Sequence, residues 1–193
     1  MEQSTLEVEL PVVMVTVADA SHERYAEEIV ETIFLAAQQR GTGIARRTPE
    51  YIVQKMREGK AIVAITSDGH FAGFCYIETW EHGRYVANSG LIVAPDFRKL
   101  NLARRIKRAA FELSRKKYPT AKIFGITTSA AVMKLNSELG YIPVHFSLLT
   151  TDEVFWKGCQ SCPNYDILQR TEQKMCLCTG MLFDPETQQK ETP

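Results

Sequence analysis

The sequence lacks any stretch approaching the ~20 consecutive apolar residues that cross a bilayer, which argues against a membrane-spanning protein. It also lacks net charge. Its 23 Lys plus Arg balance 23 Asp plus Glu, so no overall field points to a polyanionic partner. Internal repeats and low-complexity segments are missing too, which sets aside repeat architectures. The opening run from Met1 to Glu7 is acidic and polar rather than a basic, apolar secretory leader. A cytoplasmic protein is expected, and in a reducing compartment its five cysteines would not form a disulfide framework. What remains is a 193-residue chain, 45% apolar and 24% charged. That suits one folded domain with an appended element.

The hydrophobic pattern predicts a mixed α/β order. Leu10–Val17 is a β-branched run and reads as a first strand. Ser21 reads as an N-cap without a capping box. The helix it opens, about His22–Gln39, puts Ile29, Ile33 and Ala36 on one face before Gly41 stops it. After the basic loop Arg40–Arg47, Thr48 caps a second helix with Pro49 in its first turn. Three strands follow at Ala61–Thr66, His70–Thr79 and Arg84–Val93, joined by turns at Ser67–Gly69 and Glu81–Gly83. Leu102, Ala103, Ile106, Ala109, Ala110 and Leu113 make one apolar helical stripe, with Arg104, Arg105, Lys107 and Arg108 on the other side. A strand at Lys122–Thr127, a helix at Ala130–Leu139 ended by Gly140, and a strand at Tyr141–Leu149 complete the pattern. Helices interrupting a mostly antiparallel sheet indicate a mixed α/β layer.

The turn between Val93 and Leu102 carries the chemistry. A helix N-terminus presents unpaired N–H groups and the positive end of its dipole. Placed after a strand, with Arg98 and Lys99 beside it, such a turn suits a pyrophosphate. An ordinary connection with solvated basic residues would carry the same pattern. The segment Val93-Ala94-Pro95-Asp96-Phe97-Arg98-Lys99-Leu100-Asn101-Leu102-Ala103 resembles motif A of the GNAT superfamily, roughly Val-x-Pro-x-x-Arg/Gln-x-x-Gly-x-Gly/Ala. Ser129 to Tyr141, ending in Leu139-Gly140-Tyr141, resembles the family's motif B. The resemblance covers roughly Val12 to Leu149 and implies a GNAT fold: a twisted, mostly antiparallel mixed sheet with helices on both faces. It also implies acetyl-coenzyme A or another acyl-coenzyme A as cosubstrate. Backbone groups of Leu91, Ile92 and Val93 would meet the pantetheine arm. Amides of Arg98, Lys99, Leu100, Asn101, Leu102 and Ala103 would hold the pyrophosphate. The reaction implied is direct transfer of an acyl group to an amine.

Two residues depart from the family pattern. Asn101 stands where Gly is usual, and Asn tolerates a left-handed conformation better than most residues. Asn136 stands where many members carry a Tyr that protonates the leaving thiolate, and Asn is no acid. For the base, Glu78 near the end of the third strand is the leading candidate, acting through a water. A solvated carboxylate at a strand end is the plainer account. Asn88 and Ser89, and Thr127 and Thr128, are placed to orient substrate, and His145 is as readily a satisfied strand residue. Arg46 and Arg47 offer bidentate donors for a carboxylate and favour an acidic acceptor, unless they merely solvate a surface loop. Together with motif A and the Cys-rich end, that loop resembles GNAT proteins of arginine biosynthesis in Bacteroides-type bacteria. The resemblance suggests N-acylation of glutamate by acetyl or succinyl.

The pattern changes after Thr150. Residues 1–149 read as the GNAT domain, 150–184 as a Cys-rich C-terminal appendage and 185–193 as a polar tail. Cys159-Gln-Ser-Cys162 and Cys176-Leu-Cys178 have the donor number of a closed, structural tetrahedral zinc site. Four reduced, partly buried thiols or a redox pair fit as well. Cys75 is a core residue. Two further functions stay open: a non-catalytic coenzyme A sensor, and a nucleic-acid module using the basic helix and a zinc knuckle. The neutral balance, and the absence of aromatic residues along that basic face, argue against nucleic acid. The partners expected are a small-molecule amine or amino acid and coenzyme A.

Overall fold

The computed structural model describes residues 12–40 and 46–188. The start of the first expected strand, most of the Arg40–Arg47 loop and the end of the polar tail lie outside them. Among the described residues seven strands form one sheet in the order β1-β2-β3-β4-β5-β7-β6. They are β1 Val13–Val17, β2 Ala61–Thr66, β3 Phe71–Trp80, β4 Tyr85–Val93, β5 Lys122–Thr127, β6 Ile142–Val144 and β7 Thr179–Phe183. Only β4 and β5 pair in parallel; the other neighbours are antiparallel. The sequence places these strands well up to β5, because each is a β-branched or aromatic run bounded by turn residues.

Every residue of β2 is buried, because the sheet is covered on both faces. On one face Ala61, Val63 and Ile65 pack with Phe74 and Tyr76 of β3 beneath α1 (Ala26–Arg40) and α2 (Pro49–Arg57). Ile29, Ile33 and Ala36 supply the buried face of α1, as their spacing predicts. On the other face Ile62, Ala64, Cys75 and Ile77 meet Leu102, Ile106, Ala110 and Leu113 of α3 (Leu102–Lys117). That helix comes very close to the sheet: a Cβ on Gly73 would lie 2.5 Å from Ile106 Cδ1. Each fully buried apolar side chain of these layers is worth about 1.5–3 kcal/mol.

Four expectations need correction. The first helix is not capped by Ser21. Asp19 caps a 3-10 turn over Ala20–Tyr25 in a capping box with His22, and the α-helix begins only at Ala26. Asp19 also takes the Ser21 hydroxyl at 2.6 Å, so the carboxylate outcompetes it. Lys107 does not share the solvated face of α3 with its neighbours but is 3% exposed. The expected strand Tyr141–Leu149 shrinks to β6, because His145 Nδ1 accepts from Ser147 N and turns the chain into a 3-10 turn over Phe146–Leu148. The Cys-rich segment is also no mere addition to the outside. Its β7 lies between β5 and β6, pairing Phe124 with Leu182 and Ile142 with Leu182.

Beyond α4 (Ala130–Glu138) and before β7, α5 (Glu153–Lys157) and α6 (Tyr165–Arg170) carry Trp156 and Leu168 into a third core with Ala87, Phe124 and Phe146. Glu81 fastens this segment to the β3–β4 turn by accepting from Thr150 Oγ1 at 2.8 Å and Thr151 N at 2.7 Å. Among the described residues no helix is long and apolar enough to cross a membrane.

Candidate active site

The site begins where two strands separate. β4 and β5 pair only from Tyr85–Lys122 to Ala87–Phe124. Beyond that point β4 continues along β3 to Val93 while β5 continues along β7. The β3–β4 register shifts between Phe74–Ile92 and Tyr76–Ser89, so β4 holds an extra residue there. Such a bulge bends and twists its strand. Gly90 makes it feasible: its φ is +67°, and a Cβ there would lie 2.7 Å from Tyr76 Cε1. The backbone of β4 from Asn88 to Val93 therefore faces a gap with no ladder partner from β5.

At the far end of that gap stands the N-terminus of α3. Lys99 (φ 67°) and Asn101 (φ 58°) both take left-handed conformations. Asn101 precedes the helix without a capping side-chain bond, its Oδ1 accepting instead from Arg104 Nε at 3.0 Å. The first-turn N–H groups of α3 thus face outward with no side-chain acceptor, as an anion site requires. Arg98 N already donates to Pro95 O at 3.2 Å, so it is not one of the free amides that the resemblance implies there. The basic face of α3 is largely engaged. Arg104 pairs with Glu138, Arg105 donates to Val13 O, Arg115 to Pro119 O and Lys117 to Glu58 O.

Beneath the gap lies a cavity of about 530 Å³. Tyr76, Glu78 and Trp80 line it, alternate residues on one face of β3. Glu78 is paired in register with Ala87, the last β4 residue joined to β5. Its Oε2 accepts from Tyr51 OH at 2.5 Å and meets Lys55 Nζ at 2.5 Å. Both contacts fall on one oxygen, which leaves Oε1 for solvent or substrate. Arg47 Nε donates to Tyr76 OH at 2.6 Å, and its guanidinium lies over the rings of Tyr51 and Tyr76. Among the described residues no carboxylate pairs with Arg47. Arg46 lies over Phe34, also at the cavity. Burial, then neighbouring Tyr76 and Glu78, holds the Tyr51 phenol far above its ordinary range. Burial likewise raises that of Tyr76. Both stay protonated, Tyr51 donating to Glu78 and Tyr76 accepting from Arg47.

The sequence-predicted residues separate into groups. Glu78, Arg46, Arg47, Ser89, Thr127 and Thr128 all line the cavity. Asn88 lines it too, but its side chain turns into the core beneath α3. Its Oδ1 accepts from Lys107 Nζ at 3.1 Å and Tyr141 OH at 2.9 Å, and its Nδ2 donates to Ser114 at 2.8 Å. The amide Asn88 was expected to offer substrate is therefore committed elsewhere. Burial pulls the Lys107 ammonium down to about 8. Asn136 is 1% exposed and does not line the cavity, so nothing at its position replaces the missing acid.

All four C-terminal cysteines line the same cavity, half-buried. Cys162 Sγ accepts from Asn164 N, and Cys176 Sγ faces Asn164 O. Among the described residues no group of three or more His, Cys, Asp or Glu side chains is disposed to hold a metal ion. The zinc expected from their spacing gains no support. Burial, with repulsion from the neighbouring thiols, pushes Cys159 up to about 11 and Cys178 up to about 12. These two are neutral, weakly polar wall. Cys75 is buried, as expected.

Tyr51, Lys55, Tyr76 and the aromatic wall of Trp80, Phe124, Phe146 and Phe155 were missed by sequence reasoning. Tyr51 and Lys55 are one helical turn apart, and Tyr76 and Glu78 are two apart on a strand, so periodicity held a faint trace of both pairs.

No protein-family model matches the sequence, and no curated protein matches it. Solved structures do. The chain is similar to an acetyltransferase of the GNAT family from Staphylococcus aureus (TM-score 0.62, 12% identity, covering 90% of this chain and 99% of that one). It is similar to yncA of Salmonella typhimurium with its cofactor acetyl-CoA (TM-score 0.61, 14% identity, 90% and 94%). N-acetylglutamate synthase from Neisseria gonorrhoeae, complexed with coenzyme A and N-acetyl-glutamate, gives TM-score 0.62 at 12% identity. That match covers 91% of this chain, which spans only 36% of the Neisseria protein. The parted strands, the bulge and the uncapped helix thus belong to a chain with the α/β fold of the GNAT acetyltransferases.

Proposed function

We propose that the protein transfers an acyl group from an acyl-coenzyme A to the amine of a small, carboxylate-bearing acceptor. The observation that carries this reading is the parting of β4 and β5 over a cavity that holds both Glu78 and Arg47. The backbone of Leu91, Ile92 and Val93 would receive the pantetheine arm. The amides from Lys99 to Ala103 and the side chains of Arg98 and Lys99 would receive the pyrophosphate. Glu78, level with the point of separation, would take the ammonium proton through Oε1, directly or through a water. The freed amine attacks the thioester carbonyl, the C–N bond forms and the nitrogen gives up its second proton to water, the C–S bond breaks and coenzyme A leaves as thiolate. With Asn136 buried, the thiolate would take its proton from solvent, which a thiol's modest pKa permits.

Arg47, held open by Tyr76, is the carboxylate partner, with Arg46 and Ser89 beside it. Glutamate, the acceptor suggested by the basic loop and bound as its acetyl product in the Neisseria enzyme, is the first to assay, with acetyl- and succinyl-coenzyme A. A cytoplasmic location suits this cosubstrate. The basic residues of α3 are mostly bound to the protein itself, which weighs against a nucleic-acid role. Release of free thiol from an acyl-coenzyme A, dependent on an added amino acid, is expected. Stabilisation by coenzyme A without thiol release from any amine would leave the sensor reading in place of the enzyme.

A further inference from the structure

The acceptor cavity has two unlike ends, and glutamate accounts for one of them. Tyr76, Glu78 and Trp80 follow one another along one face of β3, about 7 Å apart at each step. Tyr76 carries the Arg47 guanidinium. Glu78 lies level with the separation of β4 and β5. Trp80 starts an aromatic wall: Phe155 stands edge-on to Trp80 at 5.5 Å and to Phe124 at 5.0 Å. Phe146, Val154 and Leu168 continue that wall around the same cavity. The Cys159 and Cys178 thiols are neutral and add no charge there.

We infer that the acceptor is an α-amino acid with a large apolar, aromatic side chain, its carboxylate on Arg47, its amine at Glu78 and its ring against Trp80 and Phe155. This rests on the acyltransferase reading and narrows it. The three substituents of one α-carbon diverge toward three neighbouring parts of the cavity, which is the order in which β3 presents cation, carboxylate and aromatic surface. A glutamate side chain would place a second carboxylate against the aromatic wall, away from the two cations lining the cavity, Arg46 over Phe34 of α1 and Arg47 on Tyr76.

Thiol release from acetyl-coenzyme A, measured with phenylalanine, tyrosine, leucine, glutamate and alanine, tests it. Phenylalanine is expected to exceed both alanine and glutamate in kcat/KM, by about tenfold to a hundredfold. Trp80→Ala is expected to shrink the phenylalanine-to-alanine ratio at least tenfold. Phe155→Leu, on a different element, supplies a second readout of that ratio. Glutamate or alanine used as well as phenylalanine would overturn the inference and leave the acyltransferase standing. An unchanged ratio in both variants would overturn the placement of the ring. Absence of thiol release with every amine would overturn the acyltransferase reading and this inference with it.

Discussion

Gly90→Ala strikes the feature on which the site depends. Alanine would have to adopt φ +67°, which costs an L-residue about 1–2 kcal/mol. Its methyl would also lie 2.7 Å from Cε1 and 3.0 Å from Cδ1 of the Tyr76 ring. That ring is 1% exposed, packed against Tyr51 and fixed to Arg47, so it has little room to yield. Overpacking of this kind costs about 1–3 kcal/mol. The lower unfolded-state entropy of alanine returns roughly 0.4–1 kcal/mol. The net loss is roughly 1–4.6 kcal/mol, or roughly 2–18 °C in Tm for a chain of this size. Scanning calorimetry or a urea melt reads it directly. Gly158→Ala is the control, since a Cβ there meets nothing within 4 Å, and its Tm is expected within about 2 °C of the parent. Because the bulge also sets where β4 leaves β5, coenzyme A affinity should fall with Gly90→Ala. A variant that melts with the parent and binds coenzyme A equally well would refute the reasoning.

Two further substitutions probe the charges at the site. Glu78→Gln keeps a Tyr51 acceptor but removes the base, so kcat should fall about a hundredfold; a change within twofold in steady-state thiol release would exclude Glu78 from proton transfer. Lys107→Met tests the buried cation. Its folded pKa of about 8 lies below the ordinary 10.5, because burial disfavours the charged form. Between those values the unfolded chain binds more protons, so stability from this group rises with pH across about 8 to 10.5 and is lowest below 8. The Cys75 thiol, the Tyr141 ring and Asn88 face the ammonium, and Arg104 and Arg108 flank it on α3. The variant should gain up to about 3 kcal/mol at pH 7, an advantage that fades toward pH 10.5. A gain independent of pH in paired urea titrations would contradict this account.

Local pattern was enough for most of the fold and for the turn proposed to hold the pyrophosphate. Strands through β5 and the helices α2 and α3 follow from runs, caps and periodicity that each segment carries alone. That turn was legible for the same reason: Pro95, the basic pair and the helix start are contiguous. β7 was not legible, because Thr179–Phe183 is short and gains its place from β5 and β6, which are remote in sequence. Asp19 displaced Ser21 because two good caps competed within one turn. Lys107 read as solvated because its burial depends on Asn88 and Tyr141, 19 and 34 residues away in sequence. The acceptor end was the least legible. Tyr51, Tyr76, Trp80 and Phe155 come from three segments, and only the folded chain brings them around one cavity.

The central claim is that the parted strands and the α3 N-terminus bind an acyl-coenzyme A. The thermal unfolding of the full chain with and without acetyl-coenzyme A tests it most directly. At a hundredfold excess over Kd, linkage predicts about 2.7 kcal/mol of stabilisation. For a chain of this length that is roughly 5–10 °C in Tm. No rise in Tm with acetyl-, succinyl- or free coenzyme A at millimolar concentration would contradict the account.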